Sequence, residues 1–139
     1  MGRINVSRLI MGGLAAGVVA NALDYVINAY LMQAEGEDMM VRLNLSAEVV
    51  RSSATAWVIV DLIYGLLLVF AYAAMRPRFG PGPKTAAISG GTLWLAVCAV
   101  FGGLTAMGIY TDQAFIKNSA LMLVSTMAAS MTGAYLYKE

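Results

Sequence analysis

An apolar run over residues 9–32, LIMGGLAAGVVANALDYVINAYLM, is long enough to cross a bilayer as a helix, yet it carries Asn21, Asp24 and Asn28. A carboxylate at that depth costs on the order of 3 kcal/mol on insertion scales, so it faces protein or water and not lipid. The three polar residues recur at i, i+3 and i+7, on one helical face, and Gly13 and Gly17 extend that face toward the N-terminus. One stripe is therefore small at one end and polar at the other. It is a surface for helix packing, because a Gly-x-x-x-Gly pair lets another backbone approach closely.

Three further runs follow, and composition agrees with a membrane setting. Hydrophobic residues make up 60% of the 139 positions and charged residues 12%, against about 25% charged in soluble domains. The expected fold is all-α: one domain over residues 1–139, a polytopic antiparallel bundle of four transmembrane helices. The spans are predicted at residues 7–32, 54–75, 85–110 and 113–137. An outer loop at 33–53 and a basic inner loop at 76–84 separate them. Ser46 is a candidate N-cap for a second helix that begins before its apolar run, and Thr111 for the last helix. The stretch Arg76-Pro-Arg-Phe-Gly-Pro-Gly-Pro-Lys84 cannot be helical throughout and ends the second helix.

Arg3, Arg8, Arg76, Arg78, Lys84 and Lys138 fall on one side of these spans, and Arg42, Arg51 and Lys117 on the other. The positive-inside rule then places both termini in the cytoplasm, in a membrane read as a prokaryotic inner membrane. Arg3, Arg8 and the small residues around Asn21 resemble a cleavable leader. The apolar run continues ten residues past Ala22, so an uncleaved span is expected.

The candidate functional residues lie toward the outer leaflet. Asp24 is eight residues from the outer end of its run and Asp61 seven residues into the second, about 12 and 10 Å deep at the helical rise. Counted this way, the two carboxylates share a level. If they face each other, a shared proton, a cation or a basic partner is needed. Lys117 enters the fourth span near that level, which gives a candidate polar cluster of Asn21, Asp24, Asn28, Asp61, Tyr64 and Lys117. Helix packing is assigned to Gly13, Gly17, Gly65, Gly91, Gly102, Ser125, Ala129 and Gly133; the last three form a small-residue stripe.

Other chemistry is poorly provided for. The chain has no histidine, one cysteine (Cys98) and a net charge of +1. No metal site, no nucleophile–base pair and no basic face for nucleic acid is expected, and the chain is read as non-enzymatic. No cofactor is predicted, although a lipid or apolar cofactor at the helix surface would leave no motif. The expected partners are membrane lipids and either other membrane-protein subunits or a second copy.

Two short resemblances stop early. Phe101-Gly-Gly-Leu-Thr-Ala106 resembles part of the Gly-Gly-x-Thr signature of small four-span fluoride channels, but Met107 to Tyr110 lack its Thr-Phe-Ser continuation and the first span lacks the arginine that family carries. Small multidrug transporters are similar in having four spans with an acid in the first. Here the acid lies nearer the outer end and its surroundings differ. Neither assigns a family or carries over a site. The leading expectation is an accessory or scaffold subunit of a membrane complex. The alternative is a small proton- or cation-coupled channel or transporter using Asp24 and Asp61.

Overall fold

The computed structural model describes residues 4–137, all of them helical or in short connections. α1 spans Val6–Val26, α2 Gln33–Arg42, α3 Ala47–Phe79, α4 Pro83–Ala106 and α5 Asp112–Leu136. Four of these helices, α1 with the turn that follows it, α3, α4 and α5, are long and apolar enough to cross a membrane.

Local chemistry sets the helix starts. The side chains of Asn5, Ser46 and Thr111 accept from the backbone N–H groups of Arg8, Val49 and Ala114, satisfying donors that a first helical turn leaves orphaned. The boundaries differ from the hydropathy reading. As the Ser46 cap led one to expect, α3 starts at Ala47, before its apolar run, so residues 47–53 of the expected outer loop already form its first two turns. At its other end α3 runs through Pro77 to Phe79 before Gly80, at φ 81°, turns the chain. A proline so near a helix end removes one ladder hydrogen bond without stopping the last turn. α4 ends at Ala106, four residues short of the predicted limit, leaving a five-residue connection to α5.

Two features inside the expected first span and outer loop have no hydropathy signal. After Val26 the helix widens into a π-turn, Ile27–Leu31, closed by the Met32 N–H donating to the Ile27 carbonyl at 2.8 Å. The chain then re-forms as the short helix α2, which buries none of its residues. Long-range polar ties hold it instead. Arg42 donates to the Gly108 and Ile109 carbonyls in the α4–α5 connection, both at 3.2 Å, and Glu35 pairs with Lys117 on α5.

The long helices meet at small residues. A Cβ on Gly65 of α3 would collide with the Gly17 nitrogen and the Gly13 oxygen of α1. One on Gly13 would stand 2.8 Å from the Leu66 Cα, and one on Gly17 2.7 Å from the Leu62 Cα. On the other side of α1, a Cβ on Gly12 would stand 2.8 Å from the Gly133 carbonyl oxygen of α5. In lipid no hydrophobic force drives helices together, so van der Waals contact at this range does the holding. Ala16 and Ala20 of α1, Leu68, Val69, Tyr72 and Ala73 of α3, Ala86 of α4 and Ala129 of α5 fill the core around these contacts.

These contacts make α1 antiparallel to α3 and to α5. Ser89 of α4 meets Ser130 of α5 at 3.3 Å, and the Trp94 indole donates to the Ser119 carbonyl at 2.8 Å, so α4 is antiparallel to α5 as well. The two ends of the described chain come together: the Asn5 N–H donates to the Tyr137 hydroxyl at 3.1 Å. Of the predicted packing residues, Gly91 and Gly102 make only ordinary contact, Gly91 with Met127 and Gly102 with the Phe115 ring at 3.8 Å.

Candidate functional site

Register decides which polar groups meet. Gly17 lies against the Asp61 carbonyl and Leu62, and the Asn21 amide donates to the Val58 carbonyl at 3.2 Å. Asp61 is therefore level with Gly17, and Asp24 lies seven residues, roughly 10 Å, farther along α1. The shared level read from hydropathy does not hold, because the register of the packed helices, and not the start of each apolar run, sets the level. Helical side chains nevertheless lean toward their own N-terminus, so in antiparallel α1 and α3 these two incline toward each other.

Asp24 finds its hydrogen-bond partner on α5. The Ser125 hydroxyl donates to its Oδ1 at 2.7 Å. The next residue on α5, Thr126, meets the Tyr64 hydroxyl of α3 at 3.3 Å. Asp24, Tyr64, Ser125 and Thr126 thus form one polar patch among α1, α3 and α5, with Asp61 inclined toward it from α3.

Three predicted members stand apart. The Asn21 amide is spent on backbone carbonyls, its own helix's Gly17 at 3.1 Å and Val58 across the interface. Asn28 is exposed on the π-turn and donates to the Asp24 carbonyl at 2.8 Å. Lys117 does not reach inward; it pairs with Glu35 of α2 at 2.7 Å. That hydrogen bond, the largest influence on Glu35, holds its carboxyl below the ordinary value of 4.5.

Ser125 is legible in the sequence only as a packing residue, and the small-residue stripe hides its role as a donor. Thr126, Glu35 and Arg42 carry no local signal of their partners, which lie 62, 82 and 66–67 residues away in sequence.

Searches against family models, curated proteins and solved structures were made for this chain. None returned a match. Function rests on the geometry.

Along the bundle that geometry is layered. Close backbone packing at Gly13, Gly65 and Gly133 comes first, then the polar patch. Beyond it, buried Ile27, Met32 and Ala114 form a small apolar layer supported by Tyr110 and Leu121. The Glu35–Lys117 pair and the Arg42 ties close the far end.

Proposed function

We propose that this protein is a non-enzymatic accessory or scaffold subunit of a larger membrane complex. It would sit in a prokaryotic inner membrane with both termini on the cytoplasmic side. The excess of Lys and Arg beside the chain ends supports that orientation. One observation carries the scaffold reading. α3 has 33 residues, about 50 Å of helix against roughly 30 Å of hydrocarbon, and its first half is hardly packed on the rest of the chain. Trp57 is 55% exposed, and the three successive residues Val58, Ile59 and Val60 are about half exposed, so most of that sector's apolar side-chain surface is open although the Val58 carbonyl accepts from Asn21 of α1. Such a sector suits a neighbouring membrane chain, or a second copy, laid alongside it. A lipid or apolar cofactor held at the same surface fits this reading too.

A photo-reactive side chain placed in turn at positions 57, 58, 59 and 60 in native membranes tests it. Discrete protein adducts that peak on one helical face are expected. Lipid adducts alone at all four positions would overturn the proposal.

The Asp24–Ser125 hydrogen bond, with Asp61 inclined toward it from α3, favours a second reading: a small proton- or cation-coupled channel or transporter. Ion flux in proteoliposomes that Asp24→Asn and Asp61→Asn both leave unchanged would remove it.

A further inference from the structure

We propose that the end of the bundle where the described chain's two ends meet binds the headgroup of an acidic phospholipid between Arg78 and Lys84, with Arg8 adding to the field. This goes beyond the subunit reading and rests only on the chain spanning a membrane, whichever leaflet this end occupies.

Charge separation along the bundle is the first support. Among the described residues this end carries Arg8, Arg76, Arg78 and Lys84 and no acid. The nearest carboxylate on α3 is Asp61, 15 residues before Arg76 and so roughly 22 Å away along the helix. The opposite end mixes Glu35, Glu37, Asp38, Glu48 and Asp112 with Arg42, Arg51 and Lys117. A field of one sign attracts an anionic leaflet, and clusters of basic residues at the ends of spans are the usual sites for acidic headgroups.

Fixed geometry is the second. Arg78 and Lys84 flank Gly80-Pro81-Gly82, and the loop is held on both sides. The Thr85 hydroxyl donates to the Gly80 carbonyl at 2.6 Å, and the Gly82 N–H donates to the Tyr72 hydroxyl at 3.1 Å. Arg76 belongs to the support, its guanidinium 6.0 Å from the Tyr72 ring centre and 5.6 Å from that of Tyr137. Gly80 and Gly82 sit at φ 81° and 121°, with nothing within 4 Å of where a Cβ would stand. At these two glycines the loop between the cations carries no side chain and leaves space for a bulky headgroup. Arg78, Lys84 and Arg8 are all exposed.

Apolar neighbours decide between a lipid and a free phosphate. Phe79, beside Arg78, is 47% exposed, and Val6 and Ile10, on either side of Arg8, are 63% and 46% exposed. Cations interleaved with open apolar side chains suit a molecule with a charged head and acyl chains. The loop's own N–H groups are occupied: Gly80 donates to the Arg76 carbonyl and Gly82 to Tyr72. Recognition is therefore by charge, which favours phosphatidylglycerol-type headgroups over phosphatidylcholine, whose cation cancels its phosphate.

Native mass spectrometry of the full chain, released from detergent with phosphatidylglycerol and phosphatidylcholine of matched acyl chains, is the test. The wild type should retain the acidic lipid at least about tenfold better, and an excess of inorganic phosphate should not displace it. The exposed double variant Arg78→Gln/Lys84→Gln should lose the preference. The charge-conserving exchange Arg78→Lys/Lys84→Arg and the opposite-end variant Arg42→Gln/Arg51→Gln should both keep it. Equal retention of the two lipids by the wild type would overturn the proposal. So would displacement by inorganic phosphate, a preference that survives Arg78→Gln/Lys84→Gln, or one lost in the opposite-end variant.

Discussion

Lys117 of α5 donates to the Glu35 carboxylate of α2 across 2.7 Å, joining two residues 82 positions apart in the chain. With the Arg42 contacts to Gly108 and Ile109, this pair anchors a helix that buries nothing of its own. Glu35 is held below its ordinary value of 4.5 first by the Lys117 hydrogen bond. A depressed carboxyl contributes stability that is fully present above the unfolded value and is lost as pH falls through the folded one. The protection of the α2 amides, after correction for the intrinsic pH dependence of exchange, should therefore fall on acidification below about pH 4.5. In Glu35→Gln that protection should be lower already at neutral pH, and its change over the same pH range should flatten. Identical pH profiles for the two proteins, measured by hydrogen exchange, would contradict this role.

Arg42 should matter to the same helix independently of pH. Arg42→Ala leaves the Gly108 and Ile109 carbonyls without that donor, and hydrogen bonds from a charged group of this kind contribute up to about 1.5–3 kcal/mol when well shielded. Because Arg42 is partly exposed, the lower part of that range or less is expected. The measurement is a several-fold rise in exchange across α2, with α1 and α3 unaffected.

Glycine substitutions separate close contact from open surface. Gly65→Ala forces a methyl group into the α1 backbone at Gly13 and Gly17 and should destabilise the bundle by about 1–3 kcal/mol or more. Gly36→Ala, in the interior of α2 with nothing within 4 Å, should instead be neutral or gain about 0.5–1 kcal/mol from helix propensity. Unfolding in mixed micelles, followed by circular dichroism, orders the two variants.

The Asp24–Ser125 bond can be weighed by a double-mutant cycle with Asp24→Ala and Ser125→Ala, each of which removes one partner of the bond. Hydrogen bonds between membrane helices couple by roughly 0.5–2 kcal/mol, and a coupling in that range is expected here. A cycle that closes to zero would mean that the serine serves only as a small packing residue.

Tyr72 and Tyr137 should each lose about 1 kcal/mol of stability on conversion to Phe. Each ring would keep its place in the core while its hydroxyl no longer accepts from Gly82 or Asn5. Thermal unfolding of the two single variants reads the effect directly.

The sequence by itself determined the helical class, the four apolar spans and the caps at Ser46 and Thr111. Hydropathy, glycine spacing and capping chemistry are local and survive without knowledge of any neighbour. It also marked Gly13, Gly17 and Gly65 as contact points, because a missing side chain on a membrane helix has few other uses. Only the tertiary structure decided the register. That register separated Asp24 from Asp61 by roughly 10 Å along the axis, gave Asp24 to Ser125 and sent Lys117 outward to Glu35. Pairings of this kind depend on how the helices slide past and rotate about one another, which the Ser46 cap, legible by itself, does not fix. The π-turn after Val26 re-aims the chain toward α2 for the same reason. One extra residue per turn leaves no trace in composition, but it redirects everything beyond it.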